Sequence, residues 1–96
     1  MEKLALVINP KDNVATALKD LKKGFIVVLD KNEKEVKVEL CNDISLGHKF
    51  ALEDINKGTK IIKYGESIGT ATKEIKKGEF VHIHNVESDR GRGDLK

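Results

Sequence analysis

The segment "GHKFALEDINKGTKIIKYGESIGTATKEIKKGEFVHIHN", residues 47–85, carries the most structural information in the sequence. It contains two copies of one pattern, which is an acidic residue, Leu or Ile, two variable residues and glycine. With two further copies upstream, the four are "DLKKG" (20–24), "DISLG" (43–47), "DINKG" (54–58) and "EIKKG" (74–78). We interpret each copy as a corner of the chain. Its aliphatic residue packs inward, and its glycine supplies the positive φ of a tight turn.

Between the corners the sequence predicts short β-strands. "EVKVELC" (35–41) alternates strictly, with Val36, Val38 and Leu40 on one side, and "FIVVLD" (25–30) is its expected hairpin partner. The other predicted strands are "LALVI", "KFAL", "KIIKYG", "SIGTAT" and "FVHIHNV". None is long enough for a regular open sheet. The sequence therefore predicts a mainly β fold that turns tightly on itself.

One short helix is expected near the N-terminus, within residues 12–24. Asp12 or Asn13 can cap its first turn through a side-chain oxygen, and Gly24 can end it in a left-handed turn. The apolar residues at helical spacing are Val14, Ala17, Leu18 and Leu21.

Composition excludes several classes of protein. A length of 96 residues fits one domain, and a net charge of +2 is too small for a protein that follows a phosphate backbone, so no nucleic acid is expected. "FIVVL" is the longest apolar run and is far too short to cross a membrane. The single cysteine, Cys41, precludes an internal disulfide and is typical of a cytoplasmic protein.

The histidine pair in "VHIHN" is the first candidate site. On an extended strand, His82 and His84 project from the same face about 6.5–7 Å apart, which allows both imidazoles to approach one metal ion. Two ligands do not complete a site, and from spacing alone a strand that merely carries two histidines is the commoner case. Val81 and Ile83 are expected on the opposite, core-facing side.

The corners, taken together with "GHKFAL", "IIKYGESIG" and "VHIHN" in this order, resemble the SAF domain of the altronate and galactarate dehydratases. The same module is the small subunit of the related sulfolactate sulfo-lyase. The resemblance runs from about Ile8 to Asp94. It implies a β-clip fold, in which bent hairpins pack around a small core.

The resemblance also implies a function. Enzymes of this family remove water, or sulfite in the sulfo-lyase, from sugar-acid-type carboxylates to give a 2-keto product. They depend on a divalent metal, commonly iron or manganese. The full-length dehydratases continue into a large domain. The resemblance therefore implies that this chain acts with a large dehydratase subunit, which supplies most of the metal ligands. It also implies that the chain is inactive alone.

Within this resemblance, His82 and His84 are the predicted catalytic residues and the predicted metal ligands. His48 and Lys49, after the Gly47 corner, are predicted to anchor a substrate carboxylate; two solvent-facing side chains are the alternative. Asn85 is predicted to orient a histidine, to contact a substrate hydroxyl, or simply to end the strand in a turn.

The predicted organisation is an SAF domain over residues 1–87 and a flexible tail over 88–96, where Arg90 and Arg92 lie. A homo-oligomer is compatible with the sequence. A non-catalytic module that binds or covers a carbohydrate acid, as in the accessory domains of sialic-acid synthases, is the alternative function. A small subunit of a sulfolactate sulfo-lyase is a further one.

Overall fold

A computed structural model of the chain describes residues 3–88. These residues form nine short antiparallel strands and, within that range, no helix. The strands are β1 (Ala5–Leu6), β2 (Val14–Ala17), β3 (Ile26–Lys31), β4 (Lys34–Glu39), β5 (Lys49–Ala51), β6 (Lys60–Lys63), β7 (Glu66–Ala71), β8 (Phe80–Val81) and β9 (Val86–Ser88). The described part of the chain contains no helix long and apolar enough to span a membrane.

Three small sheets share these strands. The central sheet has the order β1-β2-β5-β8, β3 and β4 form a hairpin, and the third sheet has the order β6-β7-β9. The hairpin turns at Asn32 and Glu33, both with positive φ, and Val38 and Leu40 are buried as the alternation predicts. The mainly β fold is thus confirmed. The predicted tail lies outside the described residues from 89 onward, and Ser88 is the last residue of β9.

The predicted N-terminal helix is wrong. Val14–Ala17 is a central strand that pairs with β1 on one side and β5 on the other. The expected caps bind elsewhere: Asp12 accepts the N–H of Gly65 at 2.8 Å, and Asn13 accepts the N–H of Ile62 at 2.8 Å. The strand pairing of these residues prevails over their helical apolar spacing, because a two-turn helix is only marginally stable by itself.

The four predicted corners are confirmed and lie in two pairs. Leu21 and Ile44 exchange N–H to carbonyl hydrogen bonds of 2.8 Å, and Ile55 and Ile75 do the same. All four aliphatic side chains are buried, and the corner glycines have φ between 85° and 90°. The aliphatic residue of the motif therefore joins two corners as well as filling the core.

The acidic residue of the motif holds the partner corner in place. In three cases its carboxylate accepts the N–H of the fourth residue of the paired corner. These bonds are Lys23 to Asp43 at 2.9 Å, Leu46 to Asp20 at 2.9 Å, and Lys77 to Asp54 at 2.8 Å. Since each of these three acids binds a corner other than its own, these bonds hold the paired corners together.

Two hydrophobic cores lie on the two faces of the central sheet. Adjacent residues of β5 illustrate the division, because Phe50 belongs to the first core and Ala51 to the second. The first core also contains Ala5, Ala15, Ala17, Leu21, Val27, Leu29, Val38, Leu40, Ile44 and Leu52. The second also contains Val14, Ile55, Ile61, Ala71, Ile75 and Val81. Strand β8 contacts both cores, with Phe80 against the first and Val81 in the second.

Candidate functional site

Three histidines surround the ring of Phe80. The ring centroids of His48, His82 and His84 lie 5.5, 5.3 and 5.4 Å from that of Phe80, with planes inclined by 9°, 21° and 29°. The rings of His48 and His82 also lie 5.3 Å apart and nearly parallel. We call these four residues the imidazole cluster. Stacked aromatic pairs contribute about 0.5–1.5 kcal/mol each, which favours one orientation for side chains that are otherwise exposed.

The pairing of β5 with β8 creates the imidazole cluster. Its register places Phe50 opposite Phe80 and Lys49 opposite Val81. His48, at the end of the Gly47 corner, is thereby brought next to residues more than thirty positions later in the chain. The backbone of Phe80 is fixed as well, because its N–H donates to Asn42 Oδ1 at 2.9 Å.

His82 and His84 are carried by a turn rather than by a strand. Strand β8 ends at Val81, and the N–H of Asn85 donates to the His82 carbonyl at 3.1 Å. Period-two alternation therefore stops after Val81, and the predicted core position of Ile83 is wrong: this side chain is 83% exposed. Both imidazoles lie against the ring of Phe80, and their predicted approach to one metal ion stays a prediction.

Asn85 holds this turn closed. Its side chain is 0% exposed, its Oδ1 accepts the N–H of His82 at 2.9 Å, and its Nδ2 donates to the Phe80 carbonyl at 2.8 Å. A side chain placed in this way positions His82 from within the protein. It presents no atom at the surface to a substrate hydroxyl. Both bonds go to backbone groups, so the geometry favours the predicted role in ending the strand with a turn, through which Asn85 also fixes the backbone of His82.

The environment of the cluster is positively charged. Desolvation, followed by the charges of His48, Lys49 and His84, lowers the pKa of His82. Burial, followed by the charge of Lys63, lowers the pKa of Lys49, which is half-buried. Both shifts have the direction expected where basic groups crowd together. The neutral imidazole of His82 is favoured, and a nearby anion would be attracted.

The lowered pKa of His82 predicts a pH-dependent stability. Between the lowered pKa and the ordinary histidine value of about 6.5, the unfolded chain binds more protons at this residue than the folded chain does. The free energy of unfolding should therefore rise with pH across that window and fall as the pH drops below about 6.5. Urea unfolding at several pH values, for the wild type and His82→Asn, measures this. An identical slope for both proteins between about pH 5.5 and 7 would disprove the assignment to His82.

An open pocket lies beside the cluster, at the edge of the second core. It has a volume of about 310 Å³, and we call it the side pocket. Its lining consists of Lys49, Ile68, Val81, His82, Ile83, Val86 and Ser88. His82 belongs to the imidazole cluster and also lines the side pocket. His48 and Lys49 are adjacent in sequence, but His48 belongs to the cluster and Lys49 lines the pocket.

Comparison with known proteins identifies the family. Residues 3–89 match the family model described as "Altronate/galactarate dehydratase SAF domain". The chain belongs to this family. The predicted resemblance is therefore confirmed, and the imidazole cluster is a feature of an SAF domain.

The relatives of this SAF domain are lyases that differ in length. It is 46% identical over 82 residues to altronate dehydratase of Escherichia coli K12, an alignment that covers 85% of this chain and 16% of that enzyme. It is 39% identical over 82 residues to altronate dehydratase of Bacillus subtilis 168, again 16% of that protein. With (2R)-sulfolactate sulfo-lyase subunit alpha of Paracoccus pantotrophus it shares 32% identity over 66 residues, 69% of this chain and 98% of that subunit.

The SAF domain does not contain a complete metal site within its described residues. Between residues 3 and 88, no group of three or more His, Cys, Asp or Glu side chains is placed to hold an ion. The potential ligands of the cluster are imidazoles, and Lys49 adds a repelling positive charge. The donor set of residues 3–88 therefore does not fit an iron or manganese site built from those residues alone.

Sequence reasoning missed two parts of the site. It did not predict that the ring of Phe80 would contact all three imidazoles. It also did not predict the side pocket, where Val86 packs on the second core and lines the pocket with Ile68. No local signal in the sequence identifies Ile68, because it comes from β7, which pairs with β9 and not with β8.

Proposed function

We propose that this SAF domain is the small component of a hydro-lyase that dehydrates a sugar acid such as altronate, and that it contributes catalytic histidines to an active site shared with a large dehydratase subunit. The observation that carries the proposal is the convergence of His48 with His82 and His84 on the ring of Phe80. Membership of the altronate/galactarate dehydratase SAF family supports the reaction class.

The reaction requires two proton transfers. A base removes the proton on the carbon next to the carboxylate, and an acid protonates the hydroxyl that leaves the following carbon as water. The enol that remains rearranges to the 2-keto acid. In this proposal His82 is the base, because its lowered pKa favours the neutral imidazole at neutral pH. His84, which also stacks on the Phe80 ring, protonates the leaving hydroxyl.

The positive character of the site suits the substrate. His48 belongs to the imidazole cluster, lies beside the His82 ring and can bind the substrate carboxylate there. A divalent ion, iron or manganese, would supply a charge sink for the enolate. We assign that ion to the large subunit, since the described residues of this chain lack the ligands for a site of their own.

An activity assay on the assembled enzyme tests the proposal. The chain co-expressed with the large dehydratase subunit of the same genome should form a complex that converts altronate, with ferrous or manganous ion, to its 2-keto product; the chain alone should be inactive. Galactarate and sulfolactate are the comparison substrates. Tight binding of a sugar acid by the chain alone, with no turnover by the complex, would instead indicate an accessory binding module.

A sulfo-lyase is the second candidate. The alignment with the sulfolactate sulfo-lyase alpha subunit of Paracoccus pantotrophus covers 98% of that subunit. A component of this size can therefore function as a separate subunit in that relative's enzyme class. Release of sulfite from sulfolactate, without dehydration of altronate, would favour this candidate over the first.

A further inference from the structure

The side pocket presents an unusual lining for a protein that handles sugar acids. Four of its seven lining residues are aliphatic, namely Ile68, Val81, Ile83 and Val86. Among them Ile83 is 83% exposed, the most exposed large apolar side chain in the described part of the protein. Exposed aliphatic side chains beside a concave apolar surface are typical of a protein interface.

The walls match a sugar acid poorly. Such a molecule carries hydroxyls along most of its carbon chain, and only Lys49, His82 and Ser88 among the lining residues offer side-chain hydrogen-bond partners. Loss of hydrogen bonds to buried polar groups is unfavourable, so the substrate is expected on the imidazole cluster instead. The side pocket therefore has a different occupant.

The basic side chains of the pocket indicate that its ligand carries a negative charge. Lys49 and His82 are basic, and the lining given by the described residues includes no acidic side chain. Lys49 also lies close enough to Lys63 for their charges to interact. A ligand that combines an aliphatic group with a carboxylate would match both the walls and the charge of this pocket.

We propose that the side pocket docks the large subunit, receiving an aliphatic side chain and an adjacent carboxylate from it while Ile83 packs against the partner in return. The aligned region is only 16% of the altronate dehydratases, so in those relatives most of the enzyme lies outside the SAF domain. The inference rests on the proposed function for the identity of the partner. It assigns Lys49 to docking and leaves His48 to bind the substrate carboxylate.

Small probes test the chemistry of the pocket on the 96-residue chain. Hexanoate has both the aliphatic group and the carboxylate, 1-hexanol lacks the charge, and gluconate is a six-carbon carboxylate covered with hydroxyls. In methyl NMR titrations, hexanoate should shift the signals of Ile68, Val81 and Val86 at least tenfold more strongly than gluconate at equal concentration. Lys49→Met should reduce hexanoate binding at least fivefold and leave 1-hexanol unaffected.

Complex formation tests the partner. Ile83→Asp should weaken association with the co-expressed large subunit by about a hundredfold, because it places a charge in the apolar contact. Val28→Asp is the matched control: Val28 is a half-exposed aliphatic residue on β3, outside the pocket, and its replacement should leave association unchanged. His82 and His84 remain in place in both variants, so loss of the complex is distinguishable from loss of catalytic groups.

Several results would overturn the proposal. If gluconate shifts the methyl signals of the pocket as strongly as hexanoate, the pocket is a substrate site. If hexanoate up to about 50 mM causes no shift, the pocket does not bind an aliphatic carboxylate. If the Ile83→Asp and Val28→Asp variants associate equally well with the large subunit, the side pocket does not dock that subunit. Self-association that Ile83→Asp abolishes would identify a second copy as the occupant. Removal of residues 89–96 that shifts the same methyls would identify the chain's own terminus.

Discussion

His82→Ala or His84→Ala is expected to lower the turnover number of the assembled enzyme by about 10²–10⁴-fold, the usual contribution of a positioned acid or base. The structure places both imidazoles against the Phe80 ring at 5.3 and 5.4 Å, on a turn that the buried Asn85 side chain holds closed. Removal of either ring deletes a proton-transfer group and leaves that turn intact. Steady-state kinetics on altronate, with the complex purified to constant subunit ratio, measures the effect.

Two controls separate catalysis from folding and from binding. Both histidines are exposed, so His84→Ala should retain the wild-type free energy of unfolding to within about 1 kcal/mol, the contribution of one stacked pair, and His82→Ala to within about 2 kcal/mol, because that ring stacks on both Phe80 and His48. His48→Ala should mainly raise KM, because His48 is assigned to the substrate carboxylate. If both His82→Ala and His84→Ala kept full turnover in an intact complex, the catalytic assignment would be wrong.

Gly78→Ala is expected to destabilise the fold more than a glycine-to-alanine substitution at any of the other three corners. Gly78 has φ +89°, where an L-residue is strained, and a Cβ built there would lie 2.0 Å from the carbonyl oxygen of Glu39. Hydrogen bonds hold the backbone of Gly78 in place: its carbonyl accepts the N–H of Cys41, and its N–H donates to the carbonyl of Ala51. The first of these bonds also ties it to the segment that follows Glu39. We expect a loss of at least about 4 kcal/mol, a large part of the 5–15 kcal/mol typical of a small domain.

Gly58→Ala is the matched control for this substitution. Gly58 occupies the same position of the repeated motif and has φ +90°, but a Cβ there would meet nothing within 4 Å. It should therefore cost only the backbone strain, about 1–2 kcal/mol. Urea unfolding of both variants measures the difference. Equal losses would show that the contact with Glu39 is relieved at negligible cost and that backbone strain alone determines the effect.

The corner motif was the most predictive feature of the sequence. An acidic residue, an aliphatic residue and a glycine at fixed spacing predict a tight turn from local chemistry alone, since only glycine adopts a φ near +90° without strain. The strict alternation in residues 35–41 predicted the β3–β4 hairpin for a similar reason, because one face of it must be buried. The mainly β class followed from these two features.

The N-terminal helix shows where local reasoning fails. The apolar spacing of residues 14–21 fits a helix, yet Val14–Ala17 becomes a strand because β1 and β5 lie on either side of it and satisfy its backbone. Similarly, the sequence marked His82 and His84 as a pair but placed Ile83 in the core. The turn that exposes Ile83 depends on Asn85, whose side chain is bonded within a buried site.

The corners, the hairpin and the histidine pair are predictable from local sequence, because each depends on residues that are neighbours along the chain. Tertiary contacts determine which corners pair, bring His48 to the other histidines on Phe80 and form the side pocket that His82 lines. These features are formed by segments that are more than ten residues apart. Their association depends on the burial of apolar surface by the whole chain, and no local pattern records it.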